Sequence, residues 1–272
     1  MTQIDSQNDH SRDWMNPMLL RGLVALVAGG GSGIGEAAAR TLAANGAIVA
    51  VTDRDGAAAE RVAASIGATG GTAIGIALDV TAPADIDAGV ARTVETFGKL
   101  DILVNSAGVL IPGMLETCPL DQWRTSFLVN VDGALLLGRA CLPHLRRSAH
   151  AAVVNVTSLA GSGRGYPNGG AYGPSKSALL SLTRQMALEW ARDGIRVNAV
   201  SPGTTETPLL LANITPEVRL MREEKIPLGR LGRPNELADL IVYLASPAAS
   251  YLTGQEVECD GGLSQTVMTR KF

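Results

Sequence analysis

The chain has 272 residues, of which 46% are hydrophobic and 18% are charged. This is the composition of an ordinary globular protein, and the length allows a well-buried core in one large domain or two small ones. The formal net charge of −3, with no basic run, gives no electrostatic reason to expect nucleic acid or an anionic membrane as a partner.

Few side chains could form disulfides or bind a metal ion. The three cysteines, an odd number without Cys-x-x-Cys spacing, favour reduced thiols in a cytosolic protein over a disulfide framework. The three histidines form no cluster with cysteines and carboxylates at metal-ligand spacing. We therefore predict no metal site, and a zinc-dependent alcohol dehydrogenase is disfavoured.

Residues 1–20 are expected to form a loosely ordered N-terminal extension. Their polar start of mixed charge lacks the apolar core of a signal peptide, and no apolar run in the chain reaches the roughly 20 residues of a membrane-spanning helix. We expect a cytoplasmic protein without a membrane partner, in which residues 21–272 form a single catalytic domain.

Strand and helix patterns alternate from about residue 23 onward. The predicted strands are 23–27, 47–51, 72–78, 100–104, 151–156, 195–200 and a short one near Val257. The predicted helices are 33–45, 56–66, 84–97, one or two within 120–145, 171–192 and 234–245, whereas residues 201–227 are predicted to be irregular. This alternation predicts an α/β fold: a Rossmann-like doubly wound parallel sheet of about seven strands with helices on both faces. Such sheets bind ligands beyond the carboxyl ends of their strands.

A glycine-rich turn lies between the first predicted strand and the first predicted helix. Gly29, Gly33 and Gly35 are spaced Gly-x-x-x-Gly-x-Gly, which differs from the common Gly-x-Gly-x-x-Gly. Glycines allow a tight turn and a close approach to a pyrophosphate, which the free N–H groups of a helix N-terminus favour. Because it follows a strand, this turn indicates a nucleotide site rather than a flexible loop.

Asp53 ends the second predicted strand, 18 residues after Gly35. An acidic residue about 20 positions after such a turn accepts hydrogen bonds from the adenosine ribose, and its charge repels a 2′-phosphate. Arg54 follows directly and could bind that phosphate, but Ser32 in the glycine turn supplies no second cation. We predict NAD(H) as the cofactor and keep NADP(H) as the alternative.

Tyr172 and Lys176 stand four residues apart, so a helix places both side chains on one face. A neighbouring cation stabilises a phenolate, which makes Tyr172 a candidate acid/base near neutral pH. Ser158, after the fifth predicted strand, could hydrogen-bond the same substrate oxygen, or it could only cap a turn. No Gly-x-Ser-x-Gly elbow surrounds this serine, which argues against a serine hydrolase.

With these motifs, residues 23–263 resemble the short-chain dehydrogenase/reductase family. Asn130, Ser158, Tyr172 and Lys176 match the catalytic tetrad of that family. The resemblance implies cofactor contacts from Tyr172 and Lys176 and from Gly29, Ser32, Gly33, Ile34, Gly35, Asp53, Arg54, Asp79, Val80, Asn105, Ala107, Gly108, Pro202, Gly203, Thr205 and Thr207. Ala28 and Ser106 depart from the family pattern, which has threonine and asparagine more often at these two positions.

The resemblance implies an oxidoreductase that transfers a hydride between NAD(H) and a secondary alcohol or ketone. Lys176 would bind the nicotinamide ribose, Tyr172 would take the hydroxyl proton, Ser158 would hold the oxygen, and Asn130 would fix a water that links Lys176 to solvent. The alternatives are an NADPH-dependent reductase of 3-oxoacyl thioesters and a cofactor-binding homologue without catalysis. The resemblance also implies a homotetramer, built through residues 120–145, 171–192 and 251–262.

The sequence leaves the substrate open. Residues 204–228 are predicted to form a lid that orders over it. An apolar secondary alcohol or ketone, such as a cyclic one, is favoured by Leu110, Ile111, Leu159, Leu209 and Leu210. Arg164 and Tyr166 could instead meet a carboxylate or a hydroxyl of the substrate, or lie at the rim of its pocket.

Overall fold

The computed structural model describes residues 19–162, 165, 169–212 and 214–266. Within these residues, seven strands form one sheet: β1 (Val24–Ala28), β2 (Ile48–Asp53), β3 (Thr72–Ala77), β4 (Ile102–Asn105), β5 (Ala152–Val156), β6 (Arg196–Pro202) and β7 (Glu256–Cys259). Every neighbouring pair is parallel, and the strand order is β3-β2-β1-β4-β5-β6-β7. The predicted fold class, a seven-stranded doubly wound parallel sheet, is confirmed.

Helices cover both faces of this sheet. In chain order, the described α-helices are α1 (Gly33–Ala44), α2 (Gly56–Ala68), α3 (Pro83–Phe97), α4 (Leu120–Phe127), α5 (Gly133–Leu145), α6 (Tyr172–Trp190), α7 (Pro208–Leu211), α8 (Pro216–Glu223) and α9 (Pro234–Ala245). One core lies between the sheet and α1, α2 and α9, and a second core lies between the sheet and α3, α5 and α6.

The central strand β1 explains why the sequence pattern is continuous rather than alternating. Ala25 and Val27 point into the first core, whereas Val24, Leu26 and Ala28 point into the second. Each of these five side chains is at most 1% exposed. A strand that is buried on both faces needs an apolar side chain at every position.

Residues 201–227, predicted to be irregular, instead contain the end of β6 and the two short helices α7 and α8. Thr207 caps α7 by accepting a hydrogen bond from Leu210 N over 3.2 Å, and Thr215 caps α8 by accepting one from Val218 N over 3.4 Å. A proline follows each threonine at the first helical position. These Thr-Pro pairs were the available signal for the starts of the two helices.

Residues 120–145 form one helical stretch, in which a π-helical turn (Leu128–Asp132) joins α4 to α5. Contrary to the sequence-based expectation, an 18-residue window of this stretch is long and apolar enough to cross a membrane, with a mean hydropathy of 1.2. However, Leu137, Cys141 and Leu145 are fully buried in the second core. This packing accounts for part of the apolar composition, since 39% of the window is buried.

Near the N-terminus, the packed core begins slightly earlier than the sequence analysis predicted. Residues 1–18, most of the expected N-terminal extension, lie outside the described residues, and so does the C-terminal segment 267–272. Leu20, which the sequence analysis placed in the extension, is fully buried in the first core, and its N–H donates to Asn45 O over 2.9 Å. The packed part of the chain therefore begins before residue 21.

Candidate active site

A cavity of about 1160 Å³ lies at the carboxyl ends of the strands. Its walls come from the segments that follow β1, β2, β3, β4, β5 and β6, so it spans the point between β1 and β4 where the strand order reverses. Open α/β sheets bind ligands at such a point. The volume exceeds the roughly 300–1,000 Å³ of a pocket for one small molecule, which leaves room for a cofactor together with a substrate.

Most of the sequence-predicted residues line this cavity. Ser158, Tyr172 and Lys176 do so, together with Gly29, Ser32, Gly33, Ile34, Asp53, Arg54, Asp79, Val80, Ala107, Gly108, Pro202, Gly203, Thr205 and Thr207. Gly35, Asn105 and Asn130 are described and buried but do not line the cavity, so the cofactor contacts expected of Gly35 and Asn105 and the catalytic role expected of Asn130 stay predictions.

The glycine turn is shaped by close backbone packing. Gly29 has a φ of +71° and Gly33 a φ of +56°, a region that side chains other than glycine rarely adopt. A Cβ atom at Gly35 would lie 2.0 Å from the carbonyl oxygen of Gly29. Ser32 precedes α1 without capping it through its side chain, so the first N–H groups of the helix remain available to an anion. These features fit a bound pyrophosphate.

Asp53 is held against the glycine turn. Its Oδ2 accepts a hydrogen bond from Gly31 N over 3.0 Å, and its Oδ1 accepts one from Asp55 N over 3.0 Å. A Cβ atom at Gly31 would lie 2.8 Å from Asp53 Oδ2, so the turn approaches the carboxylate closely only because residue 31 is glycine. Sequence reasoning missed Gly31, although its place in the run of three glycines was a signal.

Asp79 is oriented by its neighbour Thr81. Its Oδ1 accepts hydrogen bonds from Thr81 N and from Thr81 Oγ1, each over 2.8 Å. Hydrogen bonds from Thr81 to the charged form lower the pKa of Asp79. A carboxylate therefore lines the cavity beyond β3, and Thr81, which the sequence analysis did not single out, lines it as well.

Asn105 connects two strands to a helix instead of lining the cavity. Its Nδ2 donates to Asn155 Oδ1 over 2.7 Å, and Asn155 Nδ2 donates to Thr183 Oγ1 over 2.9 Å. All three side chains are at most 4% exposed. This chain of hydrogen bonds joins β4, β5 and α6, so it fixes the helix that carries Tyr172 and Lys176 relative to the sheet.

Asn130 lies in the π-helical turn and is 1% exposed. Its Oδ1 accepts from Val109 N over 2.8 Å, while its Nδ2 donates to Val109 O over 3.0 Å and to Ser175 Oγ over 2.9 Å. Both amide hydrogens are therefore bonded to protein atoms, and the expected contact of Asn130 with a water stays a prediction. The side chain clamps the loop after β4 to the first turn of α6.

Lys176 is 4% exposed, and its Nζ donates to Val156 O over 2.8 Å. Burial lowers the pKa of Lys176 to about 8, since removal from water disfavours the charged form. Gly108 makes space for the amine, because a Cβ atom there would lie 3.2 Å from Lys176 Nζ.

Tyr172 and Ser158 approach the same part of the cavity from two segments. Tyr172 is the first residue of α6, and Lys176 Nζ lies 5.9 Å from the centroid of its ring. Ser158 Oγ caps the short 3-10 turn Leu159–Gly161 by accepting from Ala160 N over 3.2 Å. A hydroxyl that accepts through oxygen still has its hydrogen to donate, so the turn-capping role and a substrate-binding role are compatible.

Leucine side chains contribute to the cavity wall after β4, β5 and β6. Leu110, Leu159, Leu209 and Leu210 line it as predicted, whereas Ile111 does not. Two cations that the sequence analysis gave no role, Arg222 and Lys225, also line the cavity. Their separation by three residues, about one helical turn, was the only local signal. Arg164 and Tyr166 lie outside the described residues.

Known proteins resemble this chain over most of its length. A family model described as enoyl-(acyl carrier protein) reductase matches residues 28–264. A 2,5-dichloro-2,5-cyclohexadiene-1,4-diol dehydrogenase of Sphingobium indicum is 38% identical over 247 residues, 90% of this chain and 97% of that protein. A cis-4-hydroxycyclohexanecarboxylate dehydrogenase of Sinomonas cyclohexanicum is 39% identical over 241 residues, 88% of this chain and 95% of that protein. A solved 7α-hydroxysteroid dehydrogenase, complexed with NADH and 7-oxo glycochenodeoxycholic acid, matches with a TM-score of 0.87 and 34% identity over 90% of this chain and 96% of that chain.

The fold, the glycine turn and these similarities together define a nicotinamide-dependent oxidoreductase acting on CH–OH groups. The chain belongs to the short-chain dehydrogenase/reductase family. The family resemblance and the expected enzyme class are confirmed.

Proposed function

We propose that this protein oxidises a secondary alcohol to a ketone, with NAD⁺ as the cofactor and Tyr172 as the acid/base. The observation that carries this proposal is one shared cavity, which Ser158, Tyr172 and Lys176 line in one half and the glycine turn and Asp53 line in the other. A substrate and a cofactor bound there would have their reacting groups side by side. The cofactor, when bound, accepts the carbinol hydrogen as a hydride.

The remaining proton is handled by the protein. Tyr172 Oη, as a phenolate, takes the proton of the substrate hydroxyl while the C–O bond becomes a carbonyl. Ser158 Oγ donates a hydrogen bond to the substrate oxygen and fixes its position. The ammonium of Lys176 stabilises the phenolate, and with a pKa of about 8 it can exchange a proton near neutral pH. Asn130 acts indirectly by holding the loop after β4 against α6.

The substitution Tyr172→Phe tests this assignment. It removes one oxygen atom, so we expect binding of NADH, followed by fluorescence titration, to stay within about twofold of wild type. We expect turnover with a panel of aliphatic, cyclic, steroid, polyol and hydroxy-acid alcohols to fall by at least about 100-fold, the lower range for loss of a general acid/base. Near-native turnover in the variant would show that Tyr172 is not the acid/base.

The preference for NAD over NADP rests on charge. The Asp53 carboxylate lies at the cavity edge, where it repels a 2′-phosphate, whereas Arg54 on the same wall would attract one. Arg54 is the observation that favours the second candidate, an NADPH-dependent reductase of 3-oxoacyl thioesters. A homologue that binds cofactor without catalysis is disfavoured, because all four tetrad residues are present.

We also propose a lid and an assembly. Residues 204–228 would form the lid, since α7 and α8 expose Leu209, Leu211 and Leu220 to solvent. A cytoplasmic homotetramer would bury apolar side chains that stand exposed on the three expected contact segments: Leu120 at 66%, Leu188 at 75% and the fully exposed Tyr251. Light scattering of the purified protein tests the assembly, and a monomer at micromolar concentration would contradict it.

A further inference from the structure

We infer, on the basis of the proposed function, that the substrate carries an acid group remote from its hydroxyl and that Arg222 and Lys225 bind this group. Both side chains line the active-site cavity. Arg222 lies in the last turn of α8, and Lys225 follows it by three residues, so the two cations lie on the same side of the helix end.

The chain around Lys225 is anchored beside β7. Ile226 is 4% exposed, and Leu228 N donates to Gly261 O over 3.2 Å in the turn after β7. In the sheet, β7 is the edge strand opposite β3, and β5 and β6 lie between β7 and β4. The two cations therefore belong to the half of the cavity that holds Ser158, on the side away from Asp53 and Asp79.

The described carboxylates that line the cavity lie at one end of it, where Arg54 is also found. They are Asp53, Asp55 and Asp79, which follow β2 and β3. Near α8, the carboxylates of Glu206 and Glu223 both pair with Arg219, over 2.8 Å and 2.9 Å.

Within the described residues, Lys225 forms no ion pair. Lys225 thus brings to the cavity wall a positive charge that no described carboxylate pairs with. A negatively charged ligand group would balance that charge.

The other side chains in this half of the cavity would contact the rest of the substrate. Leu110, Leu159, Leu209, Leu210 and Leu263 form apolar wall, which fits a hydrocarbon skeleton. A guanidinium binds a carboxylate through two parallel hydrogen bonds, and an ammonium adds a point charge. One similar protein is named for a hydroxycyclohexanecarboxylate, and one similar solved structure contains 7-oxo glycochenodeoxycholic acid. A hydroxy acid with an apolar skeleton therefore matches both the wall and its charges.

Binding of acids and their neutral amides tests the inference without turnover. The ligands are cyclohexanecarboxylate, octanoate and cholate, each compared with its carboxamide, titrated calorimetrically into the NADH-saturated protein. We expect at least one acid to bind at least about 10-fold more tightly than its amide, the scale of one charge-assisted contact. In Arg222→Gln/Lys225→Gln this preference should disappear.

The matched control Arg92→Gln/Arg147→Gln removes two exposed cations that do not line the cavity, and it should keep the preference. The inference is overturned if no acid binds more tightly than its amide in wild type, or if the control loses the preference as well. It is also overturned if Arg222→Gln/Lys225→Gln weakens NADH binding about 10-fold, because the cations would then serve the cofactor's phosphates.

Turnover separates this inference from the proposed function. The oxidation of 4-hydroxycyclohexanecarboxylate by NAD⁺ is compared with the oxidation of its methyl ester, in wild type and in each variant. If neutral alcohols are oxidised and acids show no preference, the acid-binding inference fails and the proposed function stands. If acids bind preferentially but no alcohol in the panel is oxidised, the proposed function fails and the acid site stands.

Discussion

The Nζ atom of Lys176 donates a hydrogen bond to the carbonyl oxygen of Val156 over 2.8 Å, in a site where the lysine is only 4% exposed. The contact joins the first turn of α6 to the last residue of β5. Burial lowers the pKa of Lys176 to about 8 from an ordinary value of 10.5. The lysine that we propose to support Tyr172 is therefore held in place at a cost in folding stability.

Replacing Lys176 by methionine should lower the activity and raise the folding stability. We expect Lys176→Met to lose nearly all turnover and to gain about 1–3 kcal/mol in the free energy of unfolding at pH 7, since a pKa unit corresponds to about 1.4 kcal/mol. Below pH 8 the lysine is protonated in both states, so the folded wild type bears the full burial penalty. Between about pH 8 and pH 10.5 the folded state loses its proton first, and the advantage of the variant should shrink.

Urea unfolding of wild type and Lys176→Met at pH 7 and pH 9.5 measures both effects. A variant that is less stable than wild type at pH 7, or whose advantage does not change with pH, would contradict this account of Lys176.

Asp53→Asn should relax the cofactor preference. Asparagine keeps one oxygen that can accept from Gly31 N and loses only the exposed contact with Asp55 N, so the glycine turn should retain its shape, but the charge that repels a 2′-phosphate is gone. We expect the ratio of kcat/KM for NAD⁺ over NADP⁺ to fall by at least about 10-fold, which corresponds to about 1.4 kcal/mol. Arg54→Gln is the control and should change the ratio in the opposite direction. An unchanged ratio in Asp53→Asn would assign the preference to other residues.

Asn130→Ala should destabilise the fold as well as the active site. The substitution leaves the N–H and C=O of Val109 and the Oγ of Ser175 without their buried partner. We expect a loss of about 2–4 kcal/mol in the free energy of unfolding, since each unsatisfied buried group costs about 1–3 kcal/mol. Ser175→Ala removes one of these contacts and should cost about 1 kcal/mol. Denaturant unfolding compares the two, and a loss below that of Ser175→Ala would disprove the clamp.

Glu256 is hydrogen-bonded to the turn that begins at Ser158. Its Oε1 accepts hydrogen bonds from Ser162 Oγ and, over 2.5 Å, from Ser201 Oγ. Ser162 Oγ also lies 3.2 Å from Ser158 O, so the carboxylate anchors the turn that begins at Ser158. Hydrogen bonds to a charged acceptor are about twice as strong as neutral ones, so we expect Glu256→Gln to lower kcat by about 10-fold with NADH affinity unchanged.

The control for Glu256→Gln is Arg184→Gln. Arg184 is largely exposed and lies 3.6 Å from Glu256, so its loss should change kcat by less than about twofold. Equal losses in both variants would indicate that the ion pair, not the serine contacts, holds the turn.

The sequence alone was sufficient for features that arise within one element. The apolar run of β1, the glycine turn before α1 and the four-residue spacing of Tyr172 and Lys176 are set by strand and helix geometry. The alternation of such elements also determines the sheet class, because parallel neighbours require helical crossovers. The short helices α7 and α8 were missed although a Thr-Pro pair marks the start of each.

The tertiary structure decided which distant residues meet. Asn130 and Ser175 are 45 residues apart, and Gly31 and Asp53 are 22 apart, so no local pattern shows that either pair is hydrogen-bonded. Residue identity made Lys176 basic, but its pKa of about 8 comes from the segments that bury it. Local geometry fixes the spacing of residues along one element, whereas contacts and burial depend on how all elements pack together. For this reason the sequence was enough to identify the enzyme class, but only the fold showed that Arg222 and Lys225 line the active-site cavity.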